Sequence, residues 1–159
     1  MRDHYITLFE YEAWANQRIV DTLRGLRGSP PERTLERMTH IIDAQRIWLF
    51  RLDPERPAPE DAPERWTLDQ IEHHGECITR DLIEYIGAHS KQDLQRTISY
   101  ANRSGDEFRS RVADVLTHLT VHGAHHRGQI MVDLRGAGIE PAPIDFIVFT
   151  REELRTPTA

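Results

Sequence analysis

The chain has one cysteine, Cys77, and one lysine, Lys91, in 159 residues. A lone thiol excludes an internal disulfide framework and a cysteine-ligated zinc site. No apolar run approaches the length that spans a membrane. The amino-terminal stretch, with Asp3, His4, Glu10 and Glu12, lacks the apolar core of a secretion signal, so a soluble cytoplasmic protein is expected. Basic residues number 20 against 26 acidic ones, giving a formal charge of -6, and the arginines are scattered instead of gathered into a stripe. Displacing counterions from nucleic acid takes a concentrated cationic surface, so neither nucleic acid nor membrane is an expected partner. Internal repeats and low-complexity tracts are also missing. The length fits a single domain, residues 1–159, able to bury a proper core.

What the chain does have is helical periodicity. A first helix is expected from about Asp3 to Leu26, with Tyr5, Leu8, Ala15, Ile19, Leu23 and Leu26 on one arc, ended by Gly25, Gly28 and Pro30-Pro31. A second runs from about Pro31 to Leu52, with Leu35, Met38, Ile41, Ile42, Trp48 and Leu49 inward. Asp53 to Arg65 holds Pro54, Pro57, Pro59 and Pro63 among charges and reads as a loop, long enough to cross to a non-neighbouring position. Thr67 caps a third helix that continues to about His89, with Leu68, Ile71, Ile78, Leu82 and Ile86 inward. Thr97 to Tyr100 alternates, and Asn102-Arg103-Ser104-Gly105 is a turn, so a small hairpin is expected before the fourth helix. Ser110 is the expected cap of that helix, which ends at Gly136 and Gly138. The tail from Ile139 to Thr150, with Ile144, Phe146, Ile147 and Phe149, packs back onto the rest. The expected class is an all-α four-helix bundle.

The fourth helix carries four of the nine histidines: His118, His122, His125 and His126. His118, His122 and His126 are spaced four apart and share one side of a helix. An i,i+4 pair of imidazoles can share one transition-metal ion. With Val112, Val115, Leu119, Ile130 and Leu134 defining the buried arc, His122 and His126 fall near its middle, and His118 and His125 toward its edge. Two inward histidines each carry a donor and an acceptor that must be satisfied. A hydrogen-bonded core pair would satisfy them, and so would a shared metal whose ligands donate their second nitrogens to carboxylates or carbonyls.

A metal needs a third ligand from another helix, and His40 is the best candidate, at the edge of the second helix's apolar arc with Ala44 and Trp48 at steps of four. His4 lies in a fraying terminus, His73 points away from its arc, His74 is marginal, and His89 sits at a helix end where a cation favours the dipole. A set of His40, His122 and His126 would be a facial site with open coordination positions, the pattern of catalytic zinc more than of structural zinc.

These stretches resemble the DinB family: Tyr11-Glu12-Ala13-Trp14-Ala15-Asn16, Thr39-His40-Ile41-Ile42-Asp43-Ala44 with Trp48-Leu49, and above all His122-Gly123-Ala124-His125-His126-Arg127-Gly128-Gln129. Gly138-Ile139-Glu140-Pro141 and Asp145-Phe146 are similar to the family's C-terminal segment. The resemblance covers essentially the whole chain in order. It implies an up-down-down-up four-helix bundle, usually a homodimer, and a divalent metal, commonly zinc or nickel, on three histidines matching His40, His122 and His126. It further implies, as in some members, a metal-dependent thiol S-transferase acting with a low-molecular-weight thiol as small-molecule substrate. The family name refers to induction by DNA damage and implies no DNA binding. Asp133 departs from the family in occupying an inward position that is usually aliphatic.

Other polar residues complicate the interior. Glu12 and Asn16 fall on the inward arc of the first helix. Asn16 is expected to hydrogen-bond a neighbouring helix and fix register. Glu12 is a candidate further ligand or acid/base. Arg127 is expected to aim away from the core and pair with acidic residues or hold an anionic substrate. No catalytic residue is assigned. Two function classes stand: a metal-dependent enzyme, either a thiol transferase or a hydrolase using metal-bound water, and a non-catalytic metal-binding or stress-associated dimer. An open metal position in an accessible cleft favours the first, and a fourth protein ligand favours the second.

Overall fold

The computed structural model describes residues 1–102 and 104–153. Arg103, in the expected turn, and residues 154–159 of the expected domain lie outside the described residues. The protein is mostly helical: α1 (Arg2–Arg24), α2 (Glu32–Leu52), α3 (Leu68–Ala88), a two-stranded sheet of β1 (Thr97–Ala101) and β2 (Glu107–Arg111), then α4 (Val112–Gly136) and a short α5 (Phe146–Glu153).

Local chemistry sets the boundaries. Thr67 and Gln70 form a reciprocal capping box at the start of α3, Gln70 N–H donating to the Thr67 hydroxyl and Thr67 N–H to the Gln70 carboxamide. In the hairpin, Tyr100 pairs with Phe108 and Thr97 with Arg111. Its turn is held by the Asn102 Oδ1, which accepts from the amides of Ser104 and Asp106, both at 2.9 Å, and by Gly105 at φ +86°. Strand pairing extends to Arg111, so Ser110 is a sheet residue and not the cap of α4 as expected; Arg111 takes the cap position in extended backbone, with no side-chain cap hydrogen bond. Gly138, at φ +75°, finishes α4, with Ile139 N–H reaching back to Leu134 O at 2.9 Å.

Side-chain contacts give the helix directions. The end of α1 meets the start of α3, where Arg24 binds Asp69 and Glu72, so these two run antiparallel. Arg37 near the start of α2 reaches Asp133 near the end of α4, while Trp48 meets His118, so α2 and α4 are also antiparallel. Tyr5 donates to Ala113 O while Glu12 binds Arg127, so α1 and α4 run parallel. Thr39 accepts from Trp66 N–H just ahead of α3, and Arg56 beyond α2 binds Asp81 in the second half of α3. The proline-rich Asp53–Arg65 segment thus returns the chain to the starting end. The core includes Phe9, Ile19, Met38, Ile42, Leu82, Ile86, Leu119, Ile130 and Leu134, each at most 1% exposed. Each such side chain contributes about 1.5–3 kcal/mol through the apolar surface it removes from water. The tail packs back as expected, but as a helix: Tyr11 donates to Ile144 O at 2.9 Å, its ring meets Phe146 edge-on, and Phe149 is buried.

Candidate metal centre

Two helices build the histidine cluster. On α2, Thr39 faces inward and anchors the returning loop through Trp66 N–H, which leaves the next residue, His40, facing α4. On α4 the four-residue spacing sets His122 and His126 edge to face, with ring centroids 4.5 Å apart. His40 lies 4.9 Å from His122 and 4.6 Å from His126 by ring centroid. The Nε2 atoms of His40 and His122 are 3.1 Å apart, and one ligand nitrogen from each of the three rings falls within 4.8 Å of the others.

This geometry fits a metal. Zinc with bonds of about 2.0–2.1 Å in a tetrahedral field places its nitrogen ligands about 3.3 Å apart, close to the His40–His122 separation. Neutral imidazole is the ligating form. Burial first, and then the neighbouring His126 and His40, push the His122 pKa down to about 4. Burial likewise lowers His126, opposed by its hydrogen bond to Gln129. Among the described residues no carboxylate lies within ion-pair distance of the three rings, so nothing competes for them with a cation.

The cluster sits at the edge of the buried arc and not near its middle. His40 is exposed, and His122 and His126 are half-buried. The expected centre was displaced because Arg127 was counted as an outward charge. Arg127 is in fact completely buried, together with Gly123, on the side of α4 facing α1. Its guanidinium forms a bidentate pair with the Glu12 carboxylate, Nη1 donating to Oε2 at 2.8 Å and Nη2 to Oε1, and also donates to Asn16 Oδ1 at 3.1 Å. Tyr11 covers it, its ring 5.4 Å from Cζ. Burial pushes the Glu12 carboxyl up, with Arg127 opposing, and the Glu12 carboxylate in turn keeps Arg127 protonated against its own burial. Glu12 is therefore held away from the histidines as an ion-pair partner, and Asn16 does bond a neighbouring helix. Gly123 makes room for this pair: a Cβ there would overlap Glu12 Oε2 and stand 3.0 Å from Arg127 Nη1.

The remaining histidines have other partners. His118 packs edge-on to Trp48, and His125 Nε2 lies 3.2 Å from Gln129 Nε2. His74 packs against Trp66 with ring centroids 4.4 Å apart, His89 bonds Tyr85 O, and exposed His73 stands 3.9 Å from Cys77 Sγ. Asp133 binds Arg37, whose Nε donates to it at 2.8 Å. Sequence reasoning missed Gln129 and Arg37. Gln129 is within 3.0 Å of His126 Nδ1 and also receives Arg37 Nη1. Both stand three residues from a cluster histidine, and the same helical count that linked the rings could have found them.

The DinB family model matches residues 1–157. The chain is 26% identical over 160 residues to Protein DinB of Bacillus subtilis (strain 168), covering 92% of this chain and 93% of that protein. It is 23% identical over 147 residues to the uncharacterized protein YizA of the same organism, covering 92% of this chain and 87% of that one.

Proposed function

The chain belongs to the DinB family, and from that premise we propose that it binds a divalent metal ion, zinc or nickel, through His40, His122 and His126. The observation that carries this reading is the convergence of three imidazole nitrogens from two helices within 4.8 Å. The four-helix, up-down-down-up arrangement belongs to the same reading, supported by the helix directions given above.

The three rings approach from α2 and α4 only, and the exposure of His40 leaves the opposite side of the cluster facing solvent. That openness favours a reaction over a closed structural site. A divalent ion bound there supplies Lewis acidity, which lowers the pKa of a coordinating thiol or water. The chain's own part is to present three neutral donors and to hold His126 in orientation through Gln129. We assign the reaction to transfer of a low-molecular-weight thiol to an electrophile, in the cytoplasm and by a homodimer. Exposed Val121 and Val132 along α4 support self-association.

Metal content by elemental analysis after loading and dialysis tests the site. Wild type and His74→Ala are expected to retain stoichiometric zinc or nickel. His122→Ala and His126→Ala should lose it with helicity intact, and His40→Ala should weaken it strongly. Unchanged content in all three overturns the assignment. Metal-loaded protein is then assayed with bacterial thiols against a model electrophile, and a rate independent of metal in every combination overturns the transferase reading.

A further inference from the structure

We propose that Gln129, locked in place by Arg37 and Asp133, fixes the tautomer of His126 so that its Nε2 lone pair is the one offered to the histidine cluster. The inference rests on the metal-site reading for its consequence, but its structural core is a matter of donors and acceptors within the protein alone.

Asp133 is the polar residue at a position where the family resemblance led to an aliphatic one. Its carboxylate can only accept, and it accepts from Arg37 Nε at 2.8 Å, with Arg33 a further 3.8 Å contact. Both partners are about four-fifths buried, at 19% and 22% exposure, so the pair is held more firmly than a surface contact. With Nε engaged, the rigid guanidinium fork aims Nη1 at the Gln129 carboxamide. A guanidinium has no acceptor, so the Gln129 atom facing it must be the oxygen. That same oxygen lies 3.0 Å from His126 Nδ1. A carbonyl oxygen cannot donate, so Nδ1 must carry the proton. In the neutral ring the lone pair is then on Nε2. At its other end the Gln129 amide stands 3.2 Å from His125 Nε2 and donates to it, which opposes any flip of the carboxamide.

Asp133, Arg37 and Gln129 are thus positioning residues acting in series on one ring. Among the described residues, neither His40 nor His122 has such a support; their mutual Nε2 contact at 3.1 Å is the hydrogen bond they make. His126 is the preset member of the set, and the other two adjust to it. This also gives a role to Asp133 and to His125, neither of which joins the cluster.

Nitrogen-15 NMR of the histidine rings in metal-free protein, at a pH where they are neutral, reads the tautomer directly. Wild type is expected to show His126 with the proton on Nδ1. Gln129→Glu, which keeps an acceptor facing both Arg37 and His126, retains that signature. Gln129→Leu loses it, and Arg37→Met, which frees the amide to flip, yields a mixture. Zinc competition against a chromophoric chelator should show affinity falling about 10–100-fold in Gln129→Leu and by less in Arg37→Met. A wild-type His126 protonated on Nε2 overturns the proposal without any variant. So does wild-type zinc affinity in both Gln129→Leu and Arg37→Met while His126→Ala loses zinc. If instead His126→Ala keeps zinc, the metal-site reading fails while the tautomer result stands by itself.

Discussion

On two consecutive turns of α4, residues one position apart lead to opposite arrangements. His122 and His126 face α2, where they meet His40 at a half-open edge with no carboxylate in ion-pair reach among the described residues. Gly123 and Arg127, rotated by one residue, face α1, where a full ion pair with Glu12 is sealed at zero exposure. The sealed cluster has its charges matched and its room supplied by a missing Cβ, so it joins α1 to α4 and offers nothing to a ligand. The open cluster gathers lone pairs at a partly exposed edge, an arrangement that contributes little to the fold and is suited to a cation. On this division the sealed side governs stability and the open side governs binding.

The largest expected stability effect is therefore at Arg127. Arg127→Met leaves Glu12 buried without its partner, which costs about 3–5 kcal/mol at neutral pH. Part of that loss is escaped by protonating Glu12, whose carboxyl is already pushed up by burial, so the variant recovers as pH falls. Combining Glu12→Leu with Arg127→Met removes both charges and is expected to restore most of the loss, because the pair's net contribution is small beside the cost of breaking it. Urea unfolding of the two variants checks this. A single variant within about 0.5 kcal/mol of wild type would put the α1–α4 join elsewhere, since that is the ordinary range for surface changes.

A smaller effect of reversible sign is expected at Gly123. In a free helix, Ala is better than Gly by about 1 kcal/mol. Here the added Cβ overlaps Glu12 Oε2, and the carboxylate has no free rotamer because Arg127 pins it. Gly123→Ala should destabilise by about 1–3 kcal/mol, the usual range for overpacking. In the Glu12→Ala, Arg127→Met background the obstruction is gone, and the same substitution should stabilise by up to about 1 kcal/mol. Equal signs in the two backgrounds would show that Gly123 has some other reason to be glycine.

The same contrast marks what was legible in the sequence. Features set by local chemistry could be read directly: the helical periods, the Thr67 cap, the hairpin with its Asn102 turn, and the pairing of His122 with His126 on one side of the helix. Arg127 could not, because a charge on a helix reads as outward until its partner is known, and that partner is 115 positions away. Glu12 was correctly found on an inward arc, but periodicity says only that it is buried and not which cation meets it. Ser110 was misread for a related reason: a good cap residue was overruled by strand pairing to Ile98. The tail was read as packing inward, but Pro141 and Pro143 beside so short a segment obscured its helix. His40 was legible as a candidate from its arc, while the Arg37–Gln129 support depended on which face of α2 meets α4.

The smallest effect belongs to the open cluster, and its pH dependence should run opposite to that of the sealed one. In unfolded chain His122 takes up a proton as pH falls below its ordinary 6.5, whereas in the metal-free fold it stays neutral until about 4. Across that window the unfolded state binds more protons, so metal-free protein loses stability as pH falls through it and is unaffected above it. The change is shallow because the ring is half-exposed and screened by solvent. His122→Gln removes the titrating group, so relative to wild type it should gain stability as pH drops from about 7.5 to about 5. Arg127→Met also recovers on acidification, but by discharging a buried carboxylate, so it recovers from a deep deficit. His122→Gln begins near wild type and ends above it. Urea midpoints in the presence of a chelator, at several pH values, distinguish the two. Curves for wild type and His122→Gln that stay parallel would mean that the ring is solvated in the metal-free fold, and the open cluster would then differ from the sealed one in exposure alone.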